Sequence, residues 1–139
     1  MSIRVKAWNF ITKLYPYYLK KMYGMHIGEN CVISWKAHLD KSINPQGIYI
    51  GNNTWILARA MILAHDHCRG IKADTYIGDN CVIGISSIIM PGIHIGNHVV
   101  IGGGSVVTKD IPSNCIAVGN PAKVIKENIK LKDGRIIKD

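Results

Sequence analysis

Two histidines separated by a single residue, His65 and His67, are the side chains of this sequence best suited to catalysis. The ordinary pKa of an imidazole lies near physiological pH, so a histidine can take the proton of a hydroxyl group as that group attacks a carbonyl carbon. Asp66 would point to the opposite side of a strand and is not expected to orient either ring. Three more histidines are expected to be ordinary surface residues, namely His26, His38 and His98.

The elements that must position this pair follow a repeat of six residues. Such a period fits neither an α-helix nor a meander of hairpins, but it fits a coil with three flat sides. The aliphatic side chain then points inward, and the glycine or asparagine after it turns the corner. The sequence therefore predicts an all-β solenoid. The aliphatic residues form three blocks: Ile27, Ile33 and Leu39; Ile50, Ile56 and Ile62; and Ile77, Ile83, Ile89, Ile95, Ile101 and Val107.

The repeat loses its phase twice, around residues 40–49 and around 66–76. Ile50 and Ile77 are 27 positions apart. If they begin successive coils of 18 residues, nine residues between them are extra. We expect them to form an extruded loop at residues 68–76, directly after His67. Loops that leave a rigid scaffold often carry function. Small residues four places after the aliphatic positions are expected to be the second inward contact of each side, among them Cys31, Thr54, Cys81 and Val99.

The end of the repeat carries the most specific motif of the sequence. Ile101-Gly-Gly-Gly-Ser-Val-Val-Thr-Lys-Asp-Ile-Pro112 is followed by Gly119-Asn-Pro-Ala-Lys-Val-Ile-Lys126. This ending resembles that of the hexapeptide-repeat acyltransferases, such as galactoside, maltose, serine and capsule-sugar acetyltransferases, and the resemblance covers about residues 26–126. It implies a left-handed parallel β-helix of about five coils and a homotrimer with sites at the subunit interfaces. A thin three-sided coil has a small core of its own. Packing of several such chains side by side would bury more of their flat apolar surface, which is a physical reason to expect an oligomer.

The resemblance also implies an activity. Counted from Ile50, His67 takes the eighteenth place, which is the offset of the catalytic histidine in the galactoside and maltose enzymes. His67 is then the base, with His65 as the alternative. The expected reaction moves an acetyl group from acetyl-coenzyme A to a hydroxyl of a sugar or saccharide by direct attack. Serine or another small molecule is the alternative acceptor. A covalent acyl-enzyme is not expected, since only Cys68 adjoins the pair.

Six residues match positions that contact coenzyme A in the resembling enzymes. Ile85 and Gly103 are 18 residues apart and are expected in one column, where the pantetheine arm would lie against the backbone. The other four would reach the phosphate-bearing half, since cations neutralise phosphates. Two features depart from the family: Val82 replaces a frequent tryptophan, and residues 33–36 lack the asparagine that binds the acceptor. The four residues are Thr108, Lys109, Lys123 and Lys126.

The net charge of +8 is concentrated at the two ends of the chain. Residues 1–24 contain five basic and no acidic residues, together with most of the aromatic ones, and their spacing indicates an amphipathic helix that Pro16 would end or kink near Tyr15. We interpret this segment as a cap on the first coil; the alternative is a peripheral contact with anionic lipid. Residues 25–126 form the catalytic domain, and residues 127–139 form a basic tail. The neutral centre argues against nucleic acid.

Two other classes of protein fit the sequence less well. A metal hydratase on the same fold would need three histidines, and His67 with His94 lacks a convincing third, so no metal is expected. In a non-catalytic scaffold, the motif at the end of the repeat, residues 101–112 and 119–126, would have no role. Four widely spaced cysteines, no apparent signal peptide and no long apolar run favour the cytoplasm, with the inner membrane surface as a further option.

Overall fold

The protein consists of an N-terminal helix followed by short strands in three parallel sheets. The computed structural model describes residues 2–138. Helix α1 spans Ile3–Tyr23, and a short 3-10 helix spans Pro45–Gly47. The first sheet is formed by β1 (His26–Ile27), β4 (Ile48–Ile50), β9 (Thr75–Ile77) and β12 (His94–Ile95). The third sheet is formed by β3 (His38–Leu39), β6 (Met61–Ile62), β11 (Ile88–Ile89) and β14 (Val106–Val107).

The second sheet is the largest and carries the only antiparallel edge of the three. Its parallel strands are β2 (Val32–Ile33), β5 (Trp55–Ile56), β10 (Val82–Ile83), β13 (Val99–Ile101) and β15 (Cys115–Gly119). Strand β16 (Ala122–Glu127) pairs antiparallel with β15. Two separate hairpins complete the chain: β7 (His65–Asp66) with β8 (Ile71–Lys72), and β17 (Lys130–Lys132) with β18 (Arg135–Ile137).

The chain visits the first, second and third sheets in rotation, and the register follows the six-residue period. Ile50 lies opposite Ile77, and Ile77 lies opposite Ile95, as the aliphatic spacing predicts. The aliphatic positions face a common core in which Ile56 and Ile83 are fully buried. The expected second inward contacts are buried as well: Cys31, Thr54, Cys81 and Val99. Inward aliphatic side chains therefore hold the three sheets together.

A ladder of side-chain hydrogen bonds runs along the corner between the first and second sheets. The Glu29 amide donates to Asn52 Oδ1 at 2.8 Å, and the Asn52 amide donates to Asp79 Oδ1 at 2.7 Å. The Asp79 amide donates to Asn97 Oδ1 at 2.8 Å, and the Asn97 amide donates to Ser113 Oγ at 2.9 Å. Each of these polar side chains therefore satisfies a backbone donor of the preceding coil, where the tight turn leaves that donor without a strand partner.

Helix α1 runs through Pro16, so the prediction of an end or kink near Tyr15 is wrong about the end. Pro16 removes one donor to the Thr12 carbonyl, but both residues lie on the buried face with Leu19. Packing of this face against β1 and β2 holds the helix across the proline. The helix ends at Gly24, whose φ of 70° suits a glycine and whose amide donates to the Lys20 carbonyl. Among residues 2–138, no helix combines the length and hydropathy of a bilayer span.

The segment after β16 packs on the sheets, although its sequence indicates only a basic tail. Ile129 and Leu131 are buried, and the Leu131 amide donates to His98 Nδ1 at 3.0 Å. Farther along, Gly134 lies so close to Trp55 that an added Cβ would meet the indole at 2.9 Å. After β16, at one edge of the second sheet, the chain thus runs back to β5, which lies next to the opposite edge of the same sheet.

Candidate active site

The His-x-His pair lies where the chain leaves the third sheet. Strand β6 ends at Ile62, and the β7–β8 hairpin then projects before β9 begins at Thr75. His65 pairs with Lys72 across the hairpin. The Thr75 hydroxyl donates to the Leu63 carbonyl at 2.6 Å, which closes the base of the excursion. The extra residues therefore form a hairpin over residues 65–72. The expected loop at residues 68–76 is wrong in its bounds, because Thr75 and Tyr76 already belong to β9.

Asp66 stabilises the turn of this hairpin and does not orient a histidine. Its carboxylate accepts from Arg69 Nε at 2.6 Å and from the Arg69 amide at 3.0 Å. These hydrogen bonds hold the pKa of the Asp66 carboxyl below its usual value. The expectation that Asp66 lies apart from the imidazoles agrees with this geometry.

A buried carboxylate, Asp40, binds the ring of His65. Its side chain is 1% exposed, and its Oδ2 accepts from His65 Nδ1 and from the Ala64 amide at 3.1 Å. The amides of Ile43 and Asn44 donate to its Oδ1 at 3.3 and 3.5 Å. Burial alone would raise the pKa of Asp40, but the hydrogen bonds from His65 and these amides outweigh it and the pKa is lowered. Because a carboxylate can only accept, Nδ1 of His65 is the donor of this hydrogen bond, and Nε2 is the ring nitrogen that Asp40 does not engage.

Sequence reasoning missed Asp40, although one signal could have found it. Leu39 pairs with Ile62, so the residue after Leu39 lies beside the strand that leads into His65. An acidic residue directly after an inward aliphatic position is unusual in this repeat, where the other such positions of the third sheet hold Leu63, Met90 and Thr108.

His67 occupies the turn of the hairpin and is exposed. Its carbonyl accepts from the Gly70 amide at 3.2 Å. Within residues 2–138 its imidazole makes no hydrogen bond or ion pair, so both ring nitrogens are open to an incoming group. The two candidate bases therefore differ: His65 is held by a carboxylate and is 27% exposed, whereas His67 faces solvent.

Ile85 and Gly103 lie in one column at the corner between the second and third sheets. Ile83 pairs with Ile101, and the Gly104 amide donates to the Ile85 carbonyl at 2.8 Å. An added Cβ on Gly103 would touch that carbonyl at 3.3 Å. The missing side chain leaves a backbone shelf beside the exposed Ile85. A groove of about 390 Å³ adjoins Ile85 and is lined by all three tryptophans, Trp8, Trp35 and Trp55.

The four remaining candidates are exposed and lie on two other parts of the surface. Thr108 and Lys109 follow β14 at the corner between the third and first sheets, the corner from which the β7–β8 hairpin also leaves. Strand β11 lies between β6 and β14 in this sheet. The end of β6, where the hairpin begins, and the end of β14, where Thr108 follows, are therefore about 10 Å apart. Lys123 and Lys126 project from β16, opposite Val118 and Ile116.

The structure thus assembles the candidates in groups and does not bring all of them together in one chain. The histidines share a corner with Thr108 and Lys109, whereas Ile85 and Gly103 lie across the third sheet. His94, the second histidine of the metal-hydratase alternative, lies beside Tyr76, with the ring centroids 4.5 Å apart and the ring planes tilted by 35°. In the part of the chain that the structure describes, no three His, Cys, Asp or Glu residues are grouped to hold a metal ion.

Comparisons with known proteins agree with this architecture. Residues 74–109 match the family described as bacterial transferase hexapeptide (six repeats). The galactoside O-acetyltransferase of Escherichia coli is 32% identical over 121 residues, which cover 81% of this chain and 58% of that protein. Its namesake from Lactococcus lactis is 33% identical over 133 residues, which cover 76% of this chain and 64% of that protein. The chain thus spans less than two thirds of the length of these curated relatives.

A solved structure extends the match to the whole fold. A maltose O-acetyltransferase from Clostridium difficile superposes with a TM-score of 0.58 at 29% identity, covering 84% of this chain and 86% of that one. The six-residue period, the rotation through three parallel sheets and these relatives agree with one another. The chain carries the bacterial transferase hexapeptide repeat and is similar to the galactoside and maltose O-acetyltransferases.

Proposed function

We propose that this protein transfers the acetyl group of acetyl-coenzyme A to a hydroxyl of a sugar or saccharide. The observation that carries the proposal is the exposed His67, which projects from a hairpin whose first strand is anchored by the Asp40–His65 pair. The galactoside and maltose O-acetyltransferases among the relatives support a sugar as the acceptor. The chemistry needs a base that is open to an arriving hydroxyl, and His67 meets that condition.

The proposed scaffold is a left-handed β-helix of about five coils. The rotation of the strands through three sheets and the register of the aliphatic residues support a three-sided coil. The likeness to the maltose O-acetyltransferase supports the same course of the chain. Such a coil is rigid, and the hairpin that carries His67 is an excursion from it, which suits a residue that must meet a substrate.

In the proposed mechanism, His67 is the general base. A ring nitrogen takes the proton of the acceptor hydroxyl while its oxygen attacks the thioester carbon. The tetrahedral intermediate then expels the thiolate of coenzyme A, and the imidazolium returns the proton to that sulfur. The carbon–oxygen bond forms in the first step and the carbon–sulfur bond breaks in the second. The acetyl group thus passes directly to the acceptor, and no covalent enzyme intermediate is needed.

Acetyl-coenzyme A is proposed to bind along the shelf of Ile85 and Gly103. The absence of a side chain at Gly103 allows an extended pantetheine arm to contact the backbone, and the exposed Ile85 offers apolar surface beside it. The exposed cations are suited to the phosphates of the nucleotide half. The residues proposed for that half are Thr108, Lys109, Lys123 and Lys126.

A complete site is proposed to form between two subunits of a homotrimer. Within one chain, His67 and the Ile85–Gly103 shelf lie at different corners, with the third sheet between them. A neighbouring subunit that presents its own shelf to His67 would join the base to the thioester. Cyclic symmetry would then repeat the same composite site at each interface.

The Asp40–His65 pair favours one alternative for the base. A carboxylate that accepts from Nδ1 leaves Nε2 as the proton acceptor and stabilises the imidazolium that forms. In this alternative, His65 removes the proton and His67 contributes to acceptor binding. The two assignments predict opposite orders of damage when each histidine is replaced.

Single replacements of the two histidines test the proposal. Release of coenzyme A thiol from acetyl-coenzyme A is measured with a panel of sugar acceptors, and cofactor affinity is measured separately. His67→Ala is expected to lower kcat by about 10²–10⁴-fold with cofactor affinity unchanged. His65→Ala is expected to cause a smaller loss, and His26→Ala, a matched exposed histidine on the first sheet, none. A larger loss in His65→Ala assigns the base to His65, and full turnover in both variants rejects the mechanism.

A further inference from the structure

Helix α1 exposes an apolar face to solvent. Thr12, Pro16 and Leu19 are its buried residues. Each has a large apolar residue two positions before it, about 200° around the helix. This outward row consists of Phe10, Leu14 and Tyr17, and Ile3 continues it toward the N-terminus. Ile3 is 86% exposed and Phe10 is 64% exposed, so the row is not covered by the rest of the chain.

Cations flank this row, and no acidic residue lies on the helix. Lys6, Lys13 and Lys20 recur at intervals of seven residues and form a second row beside the apolar one. Arg4 and Lys21 complete a set of five positive charges. Neither of the two ion pairs found within residues 2–138 involves α1. Two acidic residues of other elements, Glu29 and Asp133, line a cavity of about 670 Å³ together with Lys13 and Lys20.

The C-terminal hairpin adds positive charge beside the helix. Asp133 in its turn lines the same cavity as α1, so the two basic ends of the chain meet at the first strands of the second sheet. The hairpin contains Lys130, Lys132 and Arg135, and its Ile136 is exposed. Charges that lie far apart in the sequence are therefore concentrated on one part of the surface.

Exposed apolar side chains beside cations, on a helix that has no acidic residue of its own, are the features of a helix that lies in the headgroup region of a membrane. A second copy of this chain fits the face less well. Two such helices in contact would bring like charges together, and residues 25–122 carry six basic and six acidic residues, so the remaining surface offers no strong negative charge. We infer that α1 docks the protein on an anionic lipid surface through the row of Ile3, Phe10, Leu14 and Tyr17, with Lys6, Lys13 and Lys20 contacting lipid phosphates.

Vesicle flotation with the full chain tests this inference. Phosphatidylcholine vesicles with about 30% phosphatidylglycerol are expected to bind the protein, and vesicles of phosphatidylcholine alone are expected to bind it far less. Phe10→Glu combined with Leu14→Glu should lower binding at least about tenfold, because charge would enter the headgroup boundary. A triple Lys→Gln variant at positions 6, 13 and 20 should lower it by about 100-fold, since each of the three lysines near an anionic surface contributes about fivefold. Binding should weaken as salt is raised.

Ile43→Glu is the matched control, because Ile43 is as exposed as Leu14 but lies outside the helix. Its binding should equal that of the unaltered protein. Circular dichroism and size-exclusion chromatography of every variant establish that the fold and the oligomeric state are retained. Unchanged binding in the Phe10/Leu14 variant overturns the inference. A change of oligomeric state in that variant also overturns it, because the row would then contact another copy.

Discussion

The residues of the candidate site differ in how far the sequence reveals them. His65 and His67 stand out because their spacing coincides with the break of the repeat. Asp40 does not, because its role depends on a contact across 25 positions of the sequence that a loss of phase conceals. The buried cysteines were correctly predicted as inward contacts, since the repeat itself places Cys31 and Cys81 at the second inward position.

Replacement of Asp40 should reveal how strongly it anchors the hairpin. Asp40→Asn keeps the volume but loses a charged acceptor of four hydrogen bonds, so unfolding should become easier by about 2 kcal/mol at pH 7. The pKa of Asp40 is lowered in the folded protein, so its charge stabilises the fold above the unfolded pKa of about 3.9. This contribution is lost as the pH falls through the lower folded value.

Urea denaturation of the wild type and of Asp40→Asn at several pH values provides the measurement. The difference in unfolding free energy should be constant from pH 7 to about pH 5 and shrink below about pH 4. Glu127→Gln, at an exposed strand end, is the control and should change stability little. A difference that stays constant down to pH 2 would show that the Asp40 charge does not stabilise the fold.

The four thiols should differ sharply in reactivity. Cys68 is exposed in the hairpin, whereas the other three are buried, namely Cys31, Cys81 and Cys115. Burial raises the pKa of Cys81 to about 12, so its thiolate is scarce near neutral pH. Titration of the native protein with a chromogenic disulfide reagent at pH 8 should modify one thiol quickly, and all four should react in denaturant. Fast reaction of a second thiol in the native state would contradict the burial of these cysteines.

At the scale of the elements, the sequence predicted the regular part of the fold well. A six-residue period constrains each short strand separately, so an error in one strand does not shift the prediction for the next. The N-terminal and C-terminal segments lack this period, and tertiary packing decides their structure. Pro16 is tolerated because it lies on the packed face of α1, and Leu131 is buried because the tail returns to His98. Neither contact is encoded in local propensity.

The side-chain hydrogen bonds along the corner between the first and second sheets predict that even a small substitution there destabilises the fold. An added Cβ on Gly78 would overlap Asn97 Oδ1 and approach the Gly96 backbone. Gly78→Ala should therefore destabilise the fold by about 2–3 kcal/mol, in the range of an overpacked core. Gly70→Ala is the control: its φ of 63° imposes strain, but nothing lies within 4 Å of the added Cβ, so about 1 kcal/mol is expected. Thermal unfolding compares the two, and equal losses would show that the close approach at Gly78 is not rigid.

At the scale of the whole molecule, the separation of the candidate residues within one chain is the basis of the proposed homotrimer. The sequence placed Ile85 and Gly103 in one column, and the register confirms that column. It could not place His67 relative to the column, because nine extra residues between the coils leave the exit direction of the hairpin undetermined. The third sheet separates His67, the proposed base, from the Ile85–Gly103 shelf, and the proposed mechanism therefore joins groups of two chains.

Mixed oligomers provide the decisive test of this requirement. His67→Ala and Gly103→Phe should each be nearly inactive, the first for lack of a base and the second because the ring fills the shelf. In a cyclic trimer that contains both variants, one interface in three joins an intact His67 to an intact Gly103, so about a third of the sites should regain activity. Co-expression with two affinity tags isolates such oligomers, and oligomers of either variant alone are the control. If every site lay within one chain, each mixed oligomer would stay inactive, because no single chain would hold both groups.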